Sequence, residues 1–294
     1  MEIPIILSDL SYSQSERLRF IDFRLYFMGE LGRNHLTARF GTGPAGATRD
    51  IALYRQIAPR NLDFDTVTKT YHPSSEFAPL FIHNPSSALA LLAGGEASSK
   101  GPMIRCESPA PLDVVRTPVL AVITRAINRG RSIQVEYCSV SSGFGSREIV
   151  PFALVDTGLR WHFRAFDRKS KGFRDFVLSR VSKVGESTDI SVADHERADQ
   201  DLQWTRQIEL KLIPHPFHPR PEAIEMEFGT NKGGLQIRAR AATVGYLLRR
   251  WNVDCSPDRS LRGLEYMLCL EDPLSLYGAE TAVLAPGYRL PESS

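Results

Sequence analysis

Cysteine is scarce and scattered. Cys106, Cys138, Cys255 and Cys269 stand far apart in 294 residues and form no CxxC pair. That argues against a disulfide framework or a thiolate zinc site, and for a reducing compartment. No apolar run approaches the roughly 20 residues that a membrane span needs. The opening MEIPIILSDL is apolar but short, carries Glu2 and Asp9, and has no basic lead, so it does not read as a signal peptide. A cytoplasmic protein without membrane contact is the expectation. Motifs that carry chemistry are missing too, with no GxSxG, HExxH, P-loop GK[ST] or HxE…CxxC arrangement. His215 and His218 of HPFHP have no third ligand nearby and read as ordinary residues of a proline-rich turn. Nothing requires an enzyme, a metal or a cofactor.

A strong excess of one charge is also lacking, since 36 Lys and Arg face 34 Asp and Glu for a net +2. The placement says more. From Arg125 to Arg180 eleven cationic side chains stand against five acidic ones, so the middle of the chain is its basic part. Length suggests two domains or three small ones. Residues 1–83 read as helices and a short hairpin. Residues 84–117, rich in Ser, Gly, Pro and Ala, read as a linker with room for one short helix in SALALLAG. Residues 118–206 read as a helix followed by strands, ending in ESTDISVADHERADQD, an acidic solvated segment, and 207–294 form a third unit. The fold class expected is α+β and multidomain.

In the first unit, Ser15 can cap a helix carrying Leu18, Ile21, Leu25 and Met28, stopped by Gly29 or Gly32. Asn34 can cap a second short helix, HLTARF. After GTG, Pro44 suits the first turn of a third, PAGATRDIALYRQIA. At 100° per residue, Ala47, Ile51, Tyr54 and Ala58 fall on one side of that helix. Ala45, Thr48, Arg49, Ala52 and Gln56 fall on the other, a small polar stripe suited to pressing against something flat. Two short helices joined by a tight Gly-containing turn describe a helix-turn-helix. LDFDTVTKTYHP follows as two short strands, a wing presenting Lys69 and Tyr71. GTGPAG also matches GxGxxG, but no buried strand precedes it and no βαβ series follows, so a dinucleotide site fails on context.

The middle unit opens with an amphipathic helix, TPVLAVITRAINRG, and continues through SIQVEYCSV, SREIVPFALV, GLRWHFRAFD and KGFRDFVLSRVSKV. Short strands closely spaced after one helix suggest a small, strongly bent sheet or partial barrel. In GLRWHFRAFD, strand alternation puts Leu159, Trp161, Phe163 and Ala165 on a core face and Arg160, His162, Arg164 and Phe166 on the other. The arginines there are either merely solvated or the donor-rich wall of an anion site.

These residues carry a resemblance. Ile-x-Tyr at 133–137, Arg147 followed by Pro151, Gly-x-x-Trp at 158–161, Arg164-Ala-Phe-Asp and Phe-x-Leu-Ser-Arg at 176–180 resemble the WYL domain, an Sm-like β-barrel of bacterial transcription regulators. The name-giving triad departs, reading Trp161-His162-Phe163. Arg17 to Tyr71 resembles the winged helix-turn-helix of the BrxR and CapW kind of WYL repressor, found in phage-defence islands. LKLIPHPFHP with LQIRARAATVGYLLRRWNVD resembles its C-terminal α/β WCX extension.

The resemblance implies a homodimer that binds double-stranded DNA at an inverted-repeat operator and takes a nucleotide or nucleic-acid effector in the barrel. Carried over residue by residue, the ligand pocket comprises Tyr137, Ser139, Arg147, His162, Arg164 and Arg180, with the arginines for phosphate and Tyr137 or His162 for base stacking. Arg180 has a structural alternative, a salt bridge with Asp175 or Asp167. DNA contacts fall to Thr42, Ala45, Thr48 and Arg49 on the recognition helix and Lys69 and Tyr71 on the wing. That helix opens TGPAGATRD, where relatives tend to be Ser/Gln-rich, so specificity is altered. Arg249 and Arg250 extend the basic surface or pair across a dimer. The alternative function is a sensor that binds single-stranded nucleic acid through the barrel and modulates a partner enzyme.

Overall fold

The computed structural model describes residues 10–93, 103–107, 115–186, 191–229 and 233–289. The reading of residues 1–9 and much of the stretch called a linker lie outside them. The chain divides into two units, Met1–Ser108 and Pro109–Ser294.

In the first unit, α1 (Tyr12–Phe23) is capped by Ser11, whose side chain accepts the Gln14 N–H, rather than by Ser15. One π-helical turn, Arg24–Met28, extends it to Gly29, which stops the helix at φ +67°. The second helix, α2 (Arg33–Phe40), starts one residue before Asn34. His35 Nδ1 accepts the Gly32 N–H at 3.0 Å, so the ring, not Asn34, satisfies that end. Gly41 closes α2 at φ +65°, and α3 (Pro44–Ile57) follows at once. The GTG of GTGPAG is therefore the turn between two helices, and PAG opens the second. Leu18, Ile21, Leu25, Leu36, Ala47 and Ile51 form the shared core. β1 (Leu62–Asp65) and β2 (Thr70–Pro73) make the antiparallel hairpin. SALALLAG does contain a helix, α4 (Pro85–Leu92), but Ala88 and Leu92 pack on Phe23 of α1, so it is part of this unit.

A buried carboxylate knits these elements together. Asp22 of α1 accepts from Tyr54 Oη of α3 at 2.5 Å, from the Leu80 and Phe81 N–H groups at 2.9 and 3.2 Å, and pairs with His83 Nε2 at 2.8 Å. Arg17 of α1 adds a bidentate pair to Asp50 of α3, at 2.7 and 3.2 Å.

The second unit begins with α5 (Thr117–Arg129), ended by Gly130 at φ +57°. Five antiparallel strands follow: β3 (Ile133–Ser139), β4 (Gly143–Asp156), β5 (Trp161–Asp167), β6 (Gly172–Val177) and β7 (Val181–Glu186). Their order is β6-β5-β4-β3-β7, with consecutive β6 and β7 on opposite edges. One 3-10 turn, Leu178–Arg180, joins those edges, so the sheet must curl towards closure. Val119 and Ile123 of α5 cover its inner face beside Phe163 and Phe176.

A short helix, α6 (Leu202–Thr205), leads into a three-stranded sheet of order β10-β8-β9. Its members are β8 (Gln207–Pro214), β9 (Leu235–Arg240) and β10 (Leu268–Leu270), with α7 (Pro221–Phe228) between β8 and β9 and α8 (Val244–Arg250) after β9. Leu210, Leu212, Val244, Leu248 and Leu268 are its centre. His215 is buried, its Nδ1 accepting the Phe217 N–H and its Nε2 on Asp254 at 3.0 Å, while His218 Nε2 meets the Tyr266 carbonyl. Among the described residues no helix is long and apolar enough to cross a membrane.

Candidate functional site

The third helix has the two faces its spacing predicts. Ala47, Ile51 and Tyr54 are buried, whereas Ala45, Thr48, Arg49, Ala52 and Gln56 are exposed. Arg49 makes no ion pair among the described residues. The Thr48 hydroxyl is turned back to the Pro44 carbonyl at 3.0 Å. Thr42 departs from the expectation. Its Oγ1 is buried and has no hydrogen-bond partner among the described residues, so it faces the turn rather than outward. On the hairpin, Lys69 stands exposed at the tip with φ +57°. Tyr71 stands half-buried on the second strand of the same hairpin, one pair in from the turn, with its backbone paired to Leu31 and its ring 4.8 Å from Phe64.

The barrel carries an open cleft of about 920 Å³. Five of the six residues expected to meet a ligand line it, namely Tyr137, Ser139, Arg147, Arg164 and Arg180. Lys169, Phe173 and Arg174 line it as well, and none of these was singled out in the sequence. Arg174 lies two residues before buried Phe176 in the same strand phase and stands opposite Ala165, a register that only the folded hairpin sets. The lining holds five cations, Arg147, Arg164, Lys169, Arg174 and Arg180, against Asp167, Asp175 and Glu280.

These cations are not equivalent. Arg164 is 3 % exposed and fully committed. Its Nε and Nη2 donate to Asp201 at 2.5 and 3.1 Å, and its Nη1 donates to Asp175, directly across the β5–β6 ladder, at 3.0 Å. Burial pulls the Arg164 pKa down, but the hydrogen bonds and charges of Asp201 and Asp175 outweigh it and hold it above the ordinary value. Arg147 lies 4.0 Å from Asp167 and Arg174 donates to Ser170. Arg180 pairs with neither Asp175 nor Asp167, and among the described residues it makes no ion pair. Of the cleft arginines, Arg180 is thus the least engaged, Arg147 and Arg174 are loosely held, and Arg164 is fully taken up by carboxylates.

Strand β5 is covered on both sides, which corrects the two-faced reading. Phe163 and Ala165 are fully buried, but Leu159 and Trp161, expected in the core, are 47 % and 43 % exposed, because the strand only begins at Trp161 after a surface turn. On the other face Arg164, His162 and Phe166 are buried too. His162 stands outside the cleft lining, its ring 5.2 Å from Tyr246 of α8. Burial lowers its pKa, with nearby Arg160 acting in the same sense and Asp175 opposing, so it is a neutral ring. Tyr137 is 7 % exposed, packs edge-on against Phe176 and accepts the Val177 N–H, so neither ring presents a face for base stacking.

The cover comes from the segment expected to be solvated. Residues 187–190 lie outside the described residues, but Glu196 and Asp201 are 4 % and 1 % exposed. Glu196 takes Arg168 at 2.7 and 2.9 Å and, chiefly through that bond, is held below the ordinary carboxylate range. Asp201 takes Arg164 and also caps α6. Carboxylates survive such burial only when paired. Arg250 is exposed and lies against the Gly158 turn of the same chain, 3.9 Å from Asp156.

Three family models match the chain in succession: the BrxR transcriptional regulator winged helix-turn-helix domain over residues 13–93, the WYL domain over 118–185, and the BrxR transcriptional regulator C-terminal dimerization domain over 207–276. The chain is similar to the DNA-binding transcriptional repressor CapW of Pseudomonas aeruginosa, with 33 % identity over 83 % of this chain and 84 % of that one. CapW of Escherichia coli (strain KTE188) is 32 % identical over 82 % and 84 % of the two chains. CapW of Stenotrophomonas maltophilia is 28 % identical over 84 % and 86 %. By the order of its three parts and by identity over most of its length, the chain belongs to the family of WYL-domain transcriptional regulators that includes BrxR and CapW.

Proposed function

We propose that the protein is a homodimeric repressor of transcription that binds an inverted-repeat operator through α3 and the β1–β2 wing, under control of a nucleotide or nucleic-acid ligand held in the barrel cleft. The observation that carries this is the outward face of α3, whose first three turns expose the small side chains Ala45, Thr48 and Ala52 beside Arg49. Small side chains let the helix backbone approach the floor of the major groove, and an uncommitted guanidinium can bond a guanine edge bidentately. Lys69 at the wing tip is placed for phosphate, which positions without specifying. The repressor names of the relatives and the dimerization-domain match support the same reading. Control of a phage-defence operon rests on the family resemblance alone.

For the ligand, Arg147, Arg174 and Arg180 surround a cleft large enough for a nucleotide or a short oligonucleotide, with Phe173 among the aromatics in its wall. The deciding experiment is a mobility shift of duplex from the protein's own upstream region, against single-stranded oligonucleotides of the same sequence. Salt-dependent, sequence-specific duplex binding is the expected result. Preference for single strands with no specific duplex binding replaces the repressor by a sensor acting on a partner enzyme.

A further inference from the structure

The C-terminal region forms part of the cleft. Tyr246 of α8 lines it, and so do Glu280, Thr281, Val283 and Leu284. These pieces are locked to one another. The Gly245 N–H donates to Thr281 Oγ1 at 3.1 Å, and Thr281 Oγ1 donates to the Ala241 carbonyl at 2.7 Å. A Cβ on Gly245 would come within 1.7 Å of the Thr281 carbonyl oxygen, so the two backbones are in direct contact there. Any change that moves α8 therefore takes the 280–284 side of the cleft with it.

Arg164 of the barrel holds two carboxylates that differ in access, Asp201 from the segment leading into α6 and Asp175 from β6, and the tie from α8 to the barrel is the Tyr246 bond to Asp175. Asp201 is 1 % exposed and is not part of the cleft wall. Asp175 is in the wall, where its Oδ1 accepts from Arg164 and its Oδ2 accepts from Tyr246 Oη at 3.1 Å. The geometry points to Asp175 as a latch: an anion seated on Arg147, Arg174 and Arg180 competes with Asp175 for Arg164 Nη1 and repels its carboxylate, which releases Tyr246 and with it α8. This rests on the cleft being the ligand site proposed above, and α8 lies inside the stretch that matches the dimerization domain.

Two further observations favour release. Tyr246 also lines a second cavity, of about 500 Å³, bounded by Leu154, Trp204, Arg240 and Leu247, so the ring has space to move into. The latched arrangement also leaves the buried Nδ1 of His162, whose ring Tyr246 packs against, without a hydrogen-bond partner among the described residues. A packed state that keeps an unsatisfied polar atom is one that a rearrangement can improve.

The test uses the full-length protein with inorganic pyrophosphate and a 5′-phosphorylated single-stranded hexanucleotide as probes. Calorimetry reports binding, amide hydrogen exchange reports α8, and fluorescence anisotropy reports duplex affinity. In the wild type a bound probe should speed exchange at residues 244–250 and weaken duplex binding about tenfold or more. Tyr246→Phe, which removes only the hydroxyl, should bind the probe at least as tightly as the wild type, show fast exchange in α8 without it, and respond less than about threefold. Asp175→Ala should behave likewise, and the two changes together should add little to either. A bond that is only structural would lower the melting temperature and leave the ratio of duplex affinities with and without probe unchanged, which overturns the latch. Failure of both probes to bind the wild type removes the cleft reading and the latch with it. Binding without any change in α8 exchange removes the latch alone.

Discussion

Arg49 on α3 and Arg164 on β5 occupy equivalent places in the sequence pattern. Each is a cation on the non-core face of an amphipathic element. In the folded chain Arg49 is exposed and unpaired among the described residues, while Arg164 is 3 % exposed and bonded to two carboxylates. Periodicity reports which residues share a face and says nothing about whether another part of the chain covers it. One arginine is available to a partner outside the chain, and the other holds the chain together.

The sharpest way to break the comparison is to remove each guanidinium. Arg164→Ala leaves Asp201 buried and Asp175 half-buried without their cation and should cost about 3–5 kcal/mol of stability. Arg49→Ala should stay within about 0.5 kcal/mol of the wild type in the same experiment. Urea unfolding of both variants checks this, and equal midpoints would overturn the assignment of Arg164 as a structural pair. The second effect runs the other way. Arg49→Ala should lose about 1–3 kcal/mol of operator affinity if it bonds a guanine, with specificity relaxed at that base pair. Unchanged affinity on the operator duplex would remove Arg49 from the interface.

A smaller effect concerns the helix that carries Arg49. Gly46 sits in the first turns of α3, where an added Cβ meets only Thr42 Cβ at an ordinary 3.6 Å. Gly46→Ala should therefore raise stability by up to about 1 kcal/mol, read as an increase in melting temperature. The last effect is read as a slope. The folded pKa of His162 lies below its ordinary 6.5, so as pH falls through that value the unfolded chain takes up the proton first. Stability from this group is complete above about pH 6.5 and is lost from there down to the folded pKa. Melting curves from pH 7.5 to 5.5 should show a shallower decline for His162→Gln than for the wild type, and parallel declines would count against a buried neutral ring.

What the sequence made legible follows the same line. The faces of α3, the helix-turn-helix order and the curled five-stranded sheet depend on local periodicity and turn residues, and they were readable. The helix starts were less so. Ser11 and Ser15 are chemically identical caps, and only packing of Leu18 and Ile21 chooses between them. Of the cleft, five of six expected residues came from motif correspondence. Their division into free and committed cations did not, because Asp201 lies 37 positions from Arg164 in a run whose polarity reads as solvated. The backbone pairing of Tyr71 with Leu31 was not legible for a similar reason, because it joins the wing to the chain ahead of α2.

Asp22 bears on where one module of the protein ends. Four groups meet on that one carboxylate, from α3 through Tyr54 and from the chain leaving the wing through Leu80, Phe81 and His83. The seat of α3 is thus set partly by residues beyond the last strand of the winged fold. A fragment cut after the wing would keep every residue of the helix-turn-helix and lose three of the four bonds to that carboxylate. Cut after α4 instead, it keeps them and also the packing of Ala88 and Leu92 on Phe23. Autonomy of the DNA-binding half begins at that longer boundary.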